Sequence, residues 1–237
     1  MKIRFFTIPN LLTLSNLLCG TFAALSALVY GNLEWAFWFV VLAAVFDFFD
    51  GFAARLLHQN SPIGVQLDSL ADMISFGFVP AAVVYVMTTR SMGEEQFLLH
   101  CVYAFVSFAM AAFSALRLAK FNIDESQHEE FCGLPTPANA LFFVSLGMIS
   151  ARTGFDFGGQ MLIWIVPAMA WLLISPVRMF SLKFRGFGWR GNAIRYLFLT
   201  LCVVMIAVLR LYSIPAIVIL YILISAIRWG LRRNSND

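Results

Sequence analysis

Asp47, Asp50, Asp68 and Asp72 stand at fixed intervals in an apolar stretch, within the pattern D-x2-D-G-x2-A-R-x8-G-x3-D-x3-D that starts at Asp47 and ends at Asp72. Spacings of three and four residues put each pair on one helical face. A charged side chain near the middle of a membrane helix costs about 2.5–3.5 kcal/mol even on a lenient insertion scale, and the carboxylates also repel one another. Divalent cations offset that cost. Oxygen ligands select hard ions such as Mg²⁺ or Mn²⁺, and a segment with no cysteine and only His58 nearby disfavours zinc and copper. A pair of such ions about 3.5–4 Å apart clamps the attacking and leaving oxygens of a phosphoryl transfer. The four aspartates therefore predict a two-metal carboxylate site.

Positioning them requires two helices joined by a short turn on one side of the membrane. Gly51 and Ala54 lie beyond Asp47 on the first helix, and Gly64 stands at the start of the second. Small residues there leave room for a bulky ligand, although in membrane helices they also serve close helix packing. Arg55 can pair with a carboxylate or a pyrophosphate, or simply mark the inner side of the membrane. His58 receives no role.

The rest of the chain supplies the helices. Of 237 residues, 61% are apolar and 12% charged, against roughly 45–50% and 25% in soluble domains. Apolar runs predict eight spans at about 8–30, 34–57, 66–89, 96–118, 136–152, 159–180, 194–212 and 214–231. They are too long and continuous for barrel strands. The expected architecture is an all-α, polytopic helical bundle forming a single domain over residues 1–237. The basic start Met1-Lys2-Ile3-Arg4 leads into a full-length apolar segment without a small-residue cleavage site, so that segment is expected to remain as a helix. Cys19, Cys101, Cys132 and Cys202 lack CxxC spacing, which predicts neither disulfides nor zinc.

With both termini cytoplasmic, the inner side collects Lys2, Arg4, Arg55, Arg117, Lys120, Arg178, Lys183, Arg185, Arg190, Arg195, Arg228, Arg232 and Arg233. The outer side keeps Arg90, Arg152 and Arg210. A split of thirteen to three is what the positive-inside rule asks for, and a missed span would scramble it. The basic loop from Arg178 to Arg195, with Phe184, Phe187 and Trp189 among its charges, reads as an anchor at an anionic leaflet and not as a nucleic-acid site. The acidic loop from Asp124 to Glu130 reads as a solvated turn.

The aspartate pattern resembles the signature of the CDP-alcohol phosphotransferases, with every defining position filled between residues 47 and 72. The resemblance implies that Asp47, Asp50 and Asp68 bind the metal pair, that Asp72 assists with metal and acts as base, and that the protein is a homodimer. Three further stretches are similar to the phosphatidylserine synthase branch: residues 8–20, residues 115–122 and Gly133-Leu134-Pro135-Thr136-Pro137-Ala138. Lys120 stands where that branch more often has Arg, which keeps the charge and loses the fork geometry. The expected substrates are CDP-diacylglycerol and L-serine, at the cytoplasmic face of an inner membrane.

Serine brings a carboxylate and an ammonium, so its site needs a fixed cation and acceptor groups. Arg117, Lys120, Asn122 and Thr136 are the candidates, while Arg117 and Lys120 also suit a helix end at the cytoplasmic side. Asn10, Thr13 and Asn16 follow helical spacing and are candidates for the CDP-lipid, against capping and interhelical bonding. No Ser/His/Asp group or activated cysteine suggests a covalent intermediate, so direct displacement is expected. Glycerol 3-phosphate is the alternative acceptor. A divalent-cation transporter is the alternative of another class, and it leaves Gly51, Ala54 and Gly64 without a role.

Overall fold

Where hydrocarbon replaces water, only a helix or a closed barrel satisfies every backbone group, and this chain forms helices. The computed structural model describes residues 5–59, 61–90, 92, 96–124, 131–157, 159–180, 188 and 192–234. Lys2, Arg4, Lys183, Phe184, Arg185, Phe187, Trp189, Arg190 and the loop 125–130 lie outside the described residues, as do the side chains of Arg232 and Arg233.

Helix α1 (Ile8–Leu28) is capped by Thr7, whose hydroxyl accepts from the Asn10 N–H at 3.3 Å, with Pro9 in the first turn. Helix α2 (Leu33–Leu56) starts at Asn32, which accepts from the Trp35 N–H at 3.1 Å. The two form the most extensive helix pair among the described residues. Ala23, Ala27, Ala36, Val40 and Ala43 are fully buried and let the backbones come close.

Helix α3 (Pro62–Asp72), capped by Ser61, runs through a widened π turn at Met73–Phe78 into α4 (Val79–Thr89). Pro80 has no N–H to offer the carbonyl four residues back, so a regular α ladder cannot pass this point and the wider turn takes up the mismatch. The third helical stretch thus begins at Pro62, ahead of the predicted 66. Helix α5 (Phe97–Ile123) runs past the predicted 118. Helix α6 (Thr136–Thr153) is buried at every residue from Phe142 to Ile149, at the centre of the bundle.

Helix α7 (Gly159–Ile174) stops short of the predicted 180, where the chain bends at Ser175 and Pro176, since a proline disfavours helical backbone in the residue before it. The chain then forms a ribbon that the sequence reading missed. Strand β1 (Phe131–Cys132) pairs antiparallel with β2 (Arg178–Met179). Helix α8 (Ala193–Leu209) and helix α9 (Ser213–Asn234) are separated by a 3₁₀ turn at Arg210–Tyr212. Phe198 and Tyr221, ring centroids 6.0 Å apart, show that the chain doubles back there.

Helices therefore occupy all eight predicted segments. Five helical stretches among the described residues are long and apolar enough to cross a bilayer: Ile8–Leu28, Leu33–Leu56, Pro62–Thr89, Phe97–Ile123 and the run Ala193–Leu231 that the turn at Arg210 divides. Their outer faces expose large apolar side chains such as Phe22, Trp38, Phe105 and Val208. Water would not tolerate such a surface, and lipid does. The protein is a polytopic helical membrane protein.

Candidate active site

The site sits where α1, the last turns of α2 and the whole of α3 meet. Asp47 and Asp50 project from α2, and Asp68 projects from α3 to face them. A carboxylate oxygen from each of Asp47, Asp50 and Asp68 lies within 4.8 Å of the other two. Asp72 stands one helical turn deeper, at the end of α3, buried and within electrostatic reach of Asp47 and Asp68. Three carboxylates converge, and Asp72 lies behind them in contact with Asp47.

Helix α1 braces these acids with the polar residues at its first turns. The Thr13 hydroxyl donates to Asp50 Oδ2 at 2.6 Å, and Asn16 Nδ2 donates to Asp72 Oδ1 at 3.2 Å. Thr13 and Asn16 were candidates for the lipid nucleotide; both are turned onto aspartates, although Thr13 also borders the cavity described next. Asn10 Nδ2 donates to the Phe5 carbonyl at 2.9 Å, tying the chain ahead of α1 to its first turn. Ser75, in the π turn, donates to the Asn16 carbonyl at 3.1 Å, so α1 holds both Asp72 and the turn that follows it.

A cavity of about 250 Å³ opens beside Asp50 and Asp68. Pro9, Asn10 and Thr13 line it from α1; Gly51, Ala54 and Arg55 from α2; Gln59, Ser61, Gly64 and Val65 from the turn and α3. Its volume falls just below the roughly 300–1,000 Å³ of small-molecule sites. The two glycines play different parts. A Cβ added at Gly51 would meet nothing within 4 Å, so this position faces open space. One at Gly64 would lie 3.1 Å from Ser61 Oγ and 3.2 Å from Asn10 Oδ1, so Gly64 lets α1 and α3 approach. Arg55 is exposed at the cavity wall.

The donor set fits divalent metal. All the converging groups are carboxylates, and among the described residues Asp68 Oδ1 is buried without a hydrogen-bond partner and no salt bridge reaches any of the four aspartates. A bound divalent cation would offset the repulsion among these carboxylates.

The four residues considered for the acceptor divide into two groups. Arg117 is buried on α5, and its Nη1 donates to Thr136 Oγ1 at 3.0 Å. Asp72 and Tyr221 are the ionisable groups that interact with it. Lys120 and Asn122 are exposed, and Asn122 Nδ2 donates to Ser69 Oγ at 2.8 Å, joining the end of α5 to α3 between Asp68 and Asp72.

Thr136 owes its place to the ribbon. The Gly133 N–H donates to the Val177 carbonyl and the Leu134 N–H to the Leu172 carbonyl, each at 2.9 Å. Gly133 has φ +81°, and a Cβ there would fall 2.2 Å from the Leu173 carbonyl oxygen. Only glycine fits this corner.

The family model for CDP-alcohol phosphatidyltransferase matches residues 6–178. A CDP-diacylglycerol–serine O-phosphatidyltransferase of Bacillus subtilis is 30% identical over 171 residues, 72% of this chain and 88% of the relative. One from Helicobacter pylori is 28% identical over 228 residues, 94% of this chain and 91% of the relative. One from the archaeon Methanocaldococcus jannaschii is 31% identical over 141 residues, 60% of each chain.

Proposed function

The chain belongs to the CDP-alcohol phosphatidyltransferase family, and from that premise we propose that it transfers the phosphatidyl group of CDP-diacylglycerol to L-serine, giving phosphatidylserine and CMP. The names of the bacterial relatives support serine as acceptor. The observation that carries the chemistry is the convergence of Asp47, Asp50 and Asp68, with oxygens within 4.8 Å of one another.

These three carboxylates, with Asp72 behind them, would hold two Mg²⁺ or Mn²⁺ ions. When bound, such ions neutralise charge on the pyrophosphate and on the departing CMP. Asn10, Thr13, Gly51, Ala54, Arg55 and Gly64 border the space for the nucleotide end of the lipid. Asn16 holds Asp72 through one of its oxygens, beside Asp47. The serine hydroxyl attacks the phosphorus of the phosphatidyl group while Asp72 takes its proton; the bond from that phosphorus to the CMP oxygen breaks, and its electron pair leaves with CMP. Direct displacement of this kind needs no covalent enzyme intermediate. Arg117 supplies the cation for the serine carboxylate.

The reading places the active site at the cytoplasmic face of an inner membrane, in a homodimer whose protomers cross the bilayer eight times. The distribution of Lys and Arg supports that orientation. The deciding experiment supplies purified protein with CDP-diacylglycerol, Mn²⁺ or Mg²⁺, and either L-serine or glycerol 3-phosphate. CMP release that depends on serine is expected; release with glycerol 3-phosphate alone would reassign the acceptor.

A further inference from the structure

Asn139 lies on α6 one turn beyond Thr136, on the same helical face. Its side chain is fully buried, yet among the described residues neither Oδ1 nor Nδ2 has a hydrogen-bond partner. Arg117 Nε, also buried, is unpartnered as well. Two orphans one turn from Thr136 and a third on the arginine that Thr136 binds are rare in a folded chain unless water or a ligand completes them. The neighbours of Asn139 on α6, Ala140, Phe142 and Phe143, are apolar and packed, so a hydrophobic side chain would suit this position better for stability alone.

The missing partner has a definable chemistry. Arg117 makes no salt bridge among the described residues, so its open Nε calls for an anionic acceptor. Asn139 offers two donors and an acceptor side by side, matching a group that carries an anion and a hydrogen-bond donor together. A zwitterionic amino acid has both. Arg117 in turn interacts with Asp72, so a molecule held here has its remaining substituents near the general base.

We propose that Asn139 is a specificity-determining residue, with Nδ2 joining Arg117 in receiving the carboxylate of the acceptor amino acid and Oδ1 accepting from its ammonium. The assignment rests on the serine reading above. It explains why a central, lipid-shielded helix keeps an amide where packing favours a hydrocarbon. It also divides the binding work, since Asn139 does not line the cavity that borders Asp50 and Asp68.

The test measures CMP release by the parent protein, Asn139→Ser and Asn139→Asp, varying L-serine and CDP-diacylglycerol separately, beside the thermal midpoint of each. The serine KM should rise at least tenfold in Asn139→Ser and further in Asn139→Asp, whose carboxylate repels that of serine, while the KM for CDP-diacylglycerol stays within twofold. If the amide only holds a structural water, both KM values will move together or neither will, and the assignment is overturned. Failure of both variants to fold likewise assigns Asn139 to packing and overturns it. A parent protein that releases no CMP with serine would instead overturn the acceptor reading itself, a result read before any variant is compared.

Discussion

Asn16 on α1 donates through Nδ2 to Oδ1 of Asp72 on α3 at 3.2 Å, and both side chains are buried. One carboxylate oxygen is thereby committed to the scaffold. Asp72 thus has a tie to α1 through Asn16 beside its contact with Asp47, which in turn converges with Asp50 and Asp68.

Asp72→Asn should lower kcat by about 10²–10⁴, the usual worth of a general base, and leave metal-dependent binding of CDP-diacylglycerol intact. The amide keeps the shape and one oxygen but cannot take the hydroxyl proton. Equilibrium donor binding beside single-turnover kinetics checks this. A parallel loss of donor affinity would make Asp72 a metal ligand first, and the base would have to be sought elsewhere.

Asp47→Asn, Asp50→Asn and Asp68→Asn should each abolish turnover and weaken metal-dependent donor binding, because each removes a charged oxygen from the group that converges. Chelation should silence the parent protein, and Mg²⁺ or Mn²⁺ should restore it. Near-normal activity in any two of these variants, or in the metal-stripped protein, would defeat the metal assignment.

Arg117 and Lys120 should part company. Arg117→Ala removes the buried cation bonded to Thr136 and should raise the serine KM far more than the KM for CDP-diacylglycerol. Lys120 is exposed, and Lys120→Ala should change the serine KM less than threefold. Equal effects of the two substitutions on serine kinetics would contradict this division.

Much of this site was legible in the chain. Aspartates cannot sit in apolar helices without a reason, so their spacing pointed to the carboxylate cluster that Asp47, Asp50 and Asp68 form, and length and apolarity announced the helices. The partners of Thr13 and Asn16 were not legible, because helical spacing says which face a residue occupies and not which helix lies against it. The presence of three polar residues at helical intervals in α1 was the available signal that something across the interface needed satisfying. Asn139 was not legible for a related reason: a lone amide in an apolar segment gives no sign of what lies against it, and only the packed structure shows its amide unpaired among the described residues. The ribbon between Phe131–Cys132 and Arg178–Met179 joins residues far apart in the chain over two residues each, too short for any periodicity to reveal.

Two glycine substitutions should fail in opposite ways. Gly51 faces open space at the cavity wall, where an added Cβ meets nothing within 4 Å. Gly51→Leu should therefore insert and fold with an unchanged thermal midpoint while its side chain fills the cavity and reduces CDP-diacylglycerol binding at least tenfold. Gly133 is far from that cavity but sits at φ +81°, with the Leu173 carbonyl oxygen 2.2 Å from a built Cβ. Gly133→Ala should cost about 1–3 kcal/mol from the backbone conformation alone, and more from the collision, which has to shift either the start of α6 or the end of α7. Its defect should appear as a lowered thermal midpoint and, in whatever protein remains folded, as a raised serine KM, because Thr136 and Arg117 depend on that corner. Thermal stability and donor binding measured on one preparation of each variant decide the matter. Unfolding of Gly51→Leu with normal donor affinity in the folded remainder would return Gly51 to a packing role and leave the nucleotide without its proposed place.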